Sequence, residues 1–192
     1  MRVGVVGVQG DVTEHGEAFE RAGDALGVEV EAVAVRDSGM VPDCDALSIP
    51  GGESTTISRL SHREGIDEEI RGHVKDGKPV LATCAGLILM SNPKDERVRS
   101  LGLLDVDVER NAFGGQRESF ETDLNVRGLD EPFHAVFIRA PVVERVGDGV
   151  DVLAEFRDDV VAVRQDSVLG TAFHPELTAD HRIHELLLED YV

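Results

Sequence analysis

Lysine, cysteine and long apolar runs are all scarce in this 192-residue chain. Lysine occurs only at Lys75, Lys78 and Lys94, and 38 Asp and Glu against 19 Lys and Arg give a formal charge of −19. A chain so poor in clustered cations cannot track a phosphate backbone, so nucleic acid is excluded as a partner. The acid is spread through "EHGEAFE", "DVDVER", "FRDD" and "ELLLED" rather than gathered in a tail, so it reads as a solvated surface. With so little lysine, that surface points to a protein that stays soluble in high salt, as in a halophilic organism. The two cysteines, Cys44 and Cys84, are too few for a disulfide framework or a ligand-spaced zinc cluster, and free thiols are expected. No apolar run approaches the ~20 residues of a membrane span. The opening "MRVGVVGVQGD" meets glycine and a polar turn too soon for a secretory segment. It reads as the first strand of a cytoplasmic protein with no membrane partner.

Short apolar runs bounded by turn residues recur at residues 3–8, 28–35, 46–49 and 80–83, separated by stretches with helical spacing. Between the first two, Val12, Phe19, Ala22 and Leu26 share roughly one helical face, and Gly27 supplies a stop. Between the third and fourth, the pattern predicts a short helix, a break at Gly65 and a second helix ending at Gly77-Lys78-Pro79. From residue 104 the texture turns to strand-like pieces at 106–110, 120–126, 135–138, 152–156, 160–164 and 168–172, then a last helix over 179–188. The expected fold is α/β in three layers, a mainly parallel central sheet flanked by helices and extended by antiparallel strands. No linker or repeat divides residues 1–192, and a chain of this length buries roughly 70% of its unfolded surface, so a single domain is expected.

The run "PVLATCAGLILM" ends a strand at Cys84 and opens a helix with Ala85-Gly86. A sharp strand-to-helix turn lifts a nucleophile above the carboxyl end of a parallel sheet, where ligands bind, and needs small neighbours. Ala82, Ala85 and Gly86 supply them, although glycine is usual at the first of these positions. Cysteine is also a common buried hydrophobe, which is the reading for Cys44, at the start of a strand with no elbow around it.

A thiol nucleophile needs a base and a group to orient that base. "TAFHPELT" offers His174 after a strand, with Glu176 two residues on and so pointing the same way along an extended segment. His15, His62, His73 and His134 are isolated, and His181 and His184 are expected on a solvated helix face. "SIPGGESTT" places Gly51-Gly52 at another strand end, where backbone N–H groups can form an oxyanion hole, with Glu53 and Ser54 on the same rim.

"PGGESTT", "TCAGLI", "ERNAFG" and "FHPELT", in this order, resemble the class I glutamine amidotransferases, a flavodoxin-like fold. With "VGVVGVQGDVTEH" and "FIRAP" they are similar in particular to the PdxT family, the glutaminase subunits of pyridoxal 5′-phosphate synthase. The resemblance implies hydrolysis of L-glutamine to glutamate and ammonia, with Cys84 as nucleophile, His174 as base and Glu176 as its orienting acid. It implies that Gly52, Glu53, Ser54, Arg110, Ile138 and Arg139 hold glutamine, and that the oxyanion hole lies near Gly52 and at Ala85. It further implies no cofactor and no metal, and a PdxS-family synthase subunit that receives the ammonia in a hetero-oligomer. The loop Gln9-Gly10-Asp11 would meet that partner. Two alternatives remain: a glutaminase serving another synthase, and a glutamine-binding regulatory module without turnover. The chain departs from the family at Ala82, at Gly115, where arginine is common, and in "SNPKDERVRSLG".

Overall fold

The computed structural model describes every residue except Gln9, Lys94 and residues 111–118. The expectations for Gln9, for Gly115 and for most of "ERNAFG" therefore lie outside the described residues.

In chain order the strands are β1 (Arg2–Val6), β2 (Glu31–Val35), β3 (Ala46–Ile49), β4 (Val80–Thr83), β5 (Asn92–Pro93), β6 (Val106–Glu109), β7 (Ser119–Leu124), β8 (Phe133–Ile138), β9 (Val142–Val146), β10 (Asp151–Phe156), β11 (Asp159–Gln165) and β12 (Val168–Thr171). The helices are α1 (Val12–Leu26), α2 (Ser54–Arg63), α3 (Ile66–Lys75), α4 (Ala85–Met90) and α5 (Arg182–Leu188). The main sheet runs β2-β1-β3-β4-β12-β11-β9-β6-β5, with β10 paired to β11. Its first five strands are parallel, and β11, β9 and β10 join antiparallel. α1 packs with α5, and α2 packs with α3 and α4, giving the helical layers that flank the sheet. Among the described residues no helix is long and apolar enough to cross a membrane.

The parallel strands are where they are because they must be apolar on both faces. All of Ala46–Ile49 and Val80–Thr83 is buried, as a sheet covered by helices requires. Helix ends follow local chemistry. Gly27, at φ 72°, closes α1 in the left-handed region, its N–H turning back to Asp24 O. Gly65, at φ 75°, separates α2 from α3, the break expected there.

Four loops leave the carboxyl ends of parallel strands β1, β3, β4 and β12 and converge. The order β2-β1-β3-β4 reverses direction at β1 and β3, the point where open α/β sheets take ligands. A two-stranded ribbon, β7-β8, stands apart from the main sheet. It is anchored by Phe120 stacked on Phe137 at 4.5 Å and by Phe156 of β10 at 5.1 Å from Phe120. The ribbon reaches the loop after β12 through Phe137 against Phe173 and through the His174 N–H, which donates to Val136 O at 2.8 Å.

Candidate active site

Cys84 sits between β4 and α4 at φ 48°, a conformation that non-glycine residues rarely take. Its N–H donates to Thr171 O at 2.7 Å, which ties the turn to β12. The turn demands room. A Cβ on Gly86 would lie 2.0 Å from Ile49 O, so only glycine lets α4 start this close to β3. Ala82, at the position where glycine is usual, is fully buried and pairs with Ile49 and Gly170 without disturbing the strand register.

His174 lines the same cavity as Cys84 and, through Nδ1, hydrogen-bonds to Glu176 Oε1 at 2.7 Å behind it. The link between them is a tight 3₁₀ turn, Pro175–Leu177, rather than the extended segment expected. The fixed φ of Pro175 suits the first position of such a turn. Burial pushes the His174 imidazole down, but the hydrogen bonds to Cys84 and Glu176 and the charge of Glu176 outweigh it, leaving it pushed up to about 10. Gly51 makes space for the ring: a Cβ there would stand 2.4 Å from His174 Cε1. Gly10, at φ 110°, approaches the same loop so closely that a Cβ on it would meet Gly51 O at 2.3 Å.

These groups open onto a cavity of about 240 Å³ lined by Asp11, Gly52, Glu53, Ser54, Cys84, Ala85, Ile88, Arg110, Ile138, Arg139 and His174. It therefore brings together every residue expected at the site except Glu176, which stands behind His174 with its side chain wholly buried. Asp11 and Ile88 are additions. Asp11 Oδ2 lies 3.9 Å from His174 Nδ1. The only group among the described residues with metal-ligand spacing is Asp11, His174 and Glu176, but the bond between the last two already engages the facing atoms.

The rim is polar and largely prearranged. Glu53 caps α2, accepting from the N–H of Thr56 at 2.8 Å and of Thr55 at 3.3 Å. With the hydroxyl of Thr55 contributing most and that of Thr56 after it, its carboxyl is pushed down to about 2. Arg110 bridges Asp95 Oδ2 at 2.6 Å and Glu53 Oε1 at 3.3 Å, so its guanidinium is held at the cavity edge. Arg139 turns into the cavity wall at φ 44°, directly after Ile138, whose carbonyl accepts from the Cys84 thiol at 3.8 Å. Ser54 Oγ is buried and has no hydrogen-bond partner.

Cys44 behaves as its context predicts. It is fully buried against Gly4, its thiol donates to Met40 O at 3.3 Å, and burial pushes its pKa up. Several histidines do not. His184 is buried, not solvated, with Phe19 edge-on at 4.8 Å, and burial pushes its imidazole down to about 3. His15 is wholly buried beside Glu176. His62 bonds Asp67 at 2.8 Å and Arg99, and His134 bonds Asp123 and Glu121. Hydrophobic periodicity could have found the first two. His15 falls on the stripe shared by Phe19 and Ala22, and His184 on that of Leu187 and Leu188.

The chain is 64% identical over 187 residues to "Pyridoxal 5'-phosphate synthase subunit PdxT" of Halorubrum lacusprofundi, covering 97% of this chain and 95% of that protein. It is 61% identical over 193 residues to the protein of the same name from Haloarcula marismortui, covering 100% and 98%. A solved structure described as a glutamine amidotransferase superposes with a TM-score of 0.86 at 49% identity, covering 97% of each chain. The sequence model of the SNO glutamine amidotransferase family matches residues 5–192, and the chain belongs to that family.

Proposed function

We propose that this chain hydrolyses L-glutamine to L-glutamate and ammonia, as the glutaminase subunit of a pyridoxal 5′-phosphate synthase. The observation that carries the reading is the contiguous line Cys84, His174, Glu176, with the sulfur on a cavity wall and the carboxylate wholly buried behind. Cys84 gives its proton to His174 and attacks the carboxamide carbon of glutamine. The carbonyl π pair moves onto oxygen, and the resulting oxyanion is met by N–H groups of Gly52 and Ala85. Collapse re-forms the carbonyl and breaks the C–N bond, with His174 returning its proton to the departing ammonia. Water, deprotonated by the same imidazole, then attacks the thioester carbon and releases glutamate and the thiol. Glu176 keeps the His174 ring oriented and balances its positive charge in both steps.

The remaining rim residues suit the amino-acid end of the substrate. Arg110 and Arg139 offer cationic donors to the α-carboxylate, and Ser54 Oγ is a buried hydroxyl waiting for a partner. Glu53 contributes mainly by holding the loop, since its carboxylate caps α2. Ammonia becomes ammonium, a poor nucleophile, once it reaches bulk water, so direct delivery to a second active site is the chemically useful outcome. The relatives' names, each a subunit of a pyridoxal 5′-phosphate synthase, support a second site in the same synthase, with a PdxS-family synthase subunit as the partner. The test is mass spectrometry of rapidly quenched turnover: a glutamyl thioester on Cys84 is expected. Turnover without acylation of Cys84 would refute the mechanism.

A further inference from the structure

Behind the triad lies a layer that glutamine does not reach. Glu176 gives Oε1 to His174, but its Oε2 is buried without a hydrogen-bond partner. An unsatisfied carboxylate oxygen in a dry interior is costly, and its position needs explaining. Facing it at 3.4 Å is Nε2 of His15, a residue with no exposed surface. The same Nε2 lies 3.2 Å from Thr83 Oγ1, and Nδ1 on the far side of the ring lies 3.1 Å from Ser48 Oγ.

The two hydroxyls can donate or accept, so the carboxylate, which only accepts, chooses the tautomer. With the proton on Nδ1, the lone pair of Nε2 would point at a carboxylate oxygen, two electron-rich atoms facing each other in a buried site. With the proton on Nε2, the Ser48 hydroxyl donates to Nδ1, and the Nε2–H faces Thr83 Oγ1 at 3.2 Å with Glu176 Oε2 next at 3.4 Å, the nearest donor to that carboxylate oxygen. Every polar atom of the ring then has a partner. The ring also has to stay neutral, since a cation here would cancel the charge that Glu176 offers His174. Burial, followed by the nearby His184 and His174, pushes His15 well below the ordinary histidine range.

We propose that His15 is a positioning residue of the glutaminase site: as the neutral Nε2–H tautomer it donates to Glu176 Oε2 and so holds Oε1 on His174. Ser48 lies on β3, one residue before its end, and Thr83 directly precedes Cys84 on β4. His15 therefore locks the orienting carboxylate to the two strands that carry the oxyanion loop and the nucleophile. The inference rests on the catalytic reading above.

The test compares His15→Leu, which removes the donor, with His15→Gln, whose side-chain N–H reaches the position of Nε2. Glutamine hydrolysis is followed in the complex with the synthase subunit. His15→Leu should lower kcat by about 10- to 100-fold, the usual cost of losing a group that orients another, with KM for glutamine unchanged. His15→Gln should recover most of kcat. Equal kcat losses in both variants, tracking equal losses of thermal stability, would reduce His15 to core packing and overturn the proposal. Should the leucine variant not fold, nitrogen NMR of histidine-labelled wild-type protein decides: a Nδ1–H or doubly protonated His15 refutes the assignment, and a Nε2–H resonance supports it. Cys84→Ala in parallel keeps the two claims apart. Activity surviving in Cys84→Ala sinks the catalytic reading itself, whereas an inactive Cys84→Ala beside a fully active His15→Leu sinks only the role of His15.

Discussion

The parallel and antiparallel halves of the sheet make unlike contributions to the same cavity. Strands β1, β3, β4 and β12 end in the loops that bear Asp11, Gly51-Gly52, Cys84 and His174, groups fixed by backbone that is buried on both sides. The antiparallel half and its ribbon supply Arg110, Ile138 and Arg139, on segments that are partly solvated. On the proposed reading, the triad sits where the backbone is buried on both sides, and the cationic part of recognition where side chains are partly solvated. In kinetic terms, damage to the parallel half should appear in kcat, and damage to the other half in KM.

The largest effect expected is from Cys84→Ala, which should lower glutaminase kcat by at least about 10⁴-fold, the scale of losing a nucleophile. Cys44→Ala, in the same half but away from the cavity, should stay active. Similar losses from both cysteines, measured as glutamate release, would erase the distinction between an elbow thiol and a core thiol. Next comes Gly51→Ala. The added methyl would displace the His174 ring it meets at 2.4 Å, and a misplacement of that order costs about 10²-fold in rate. A normal kcat would mean that the loop gives way and that the ring is not held by it.

On the other side of the comparison, Arg139→Ala should raise KM for glutamine by roughly 10-fold, the worth of one charge-assisted hydrogen bond, and leave kcat nearly intact. A loss confined to kcat would place Arg139 in the chemistry and break the division between halves. The smallest effect concerns the shared core. His184 is held near pKa 3 by burial, with Arg21 adding to it, while an unfolded histidine titrates at about 6.5. Between those values the unfolded chain binds the extra proton, so the stability this neutral ring contributes is present above pH 6.5 and is lost as pH falls. Between pH 6.5 and 5 the wild type should lose about 2 kcal/mol more than His184→Leu. Parallel stability curves from urea titrations at the two pH values would show that the ring is not buried neutral.

The same contrast governs what could be read from the sequence. β3 and β4 match the expected 46–49 and 80–83 because continuous apolar runs between turn residues leave little choice of boundary. β9 (Val142–Val146) was absent from the expectation: "PVVERVG" mixes buried and exposed positions, and its pairing with β6 and β11 is fixed by distant segments. β5, two residues long, has no local signature at all. The final helix starts at Arg182 rather than 179, since Asp180 turns its carboxylate onto the Arg182 N–H and ends the loop there. At the site, Cys84, His174 and the glycine loop were visible in the residues themselves because an elbow and a strand-end histidine have local form. Arg110 and Arg139 came only through family resemblance, since an arginine on a half-exposed strand looks like any surface charge. His15 reads as isolated in the sequence because the groups it meets, Ser48, Thr83 and Glu176, lie on distant segments.

One feature of the elbow sets the interests of the enzyme against those of the fold. At φ 48° and ψ −101°, Cys84 occupies backbone space in which any side chain is a burden of roughly 1–3 kcal/mol, whereas glycine enters it freely. The rest of the domain must hold this residue in place against its own preference. Selection for heat resistance alone would therefore drift toward glycine at position 84 and arrive at a sturdier, silent protein. On the proposed catalytic reading, the sulfur at this position is a cost in folding that turnover requires.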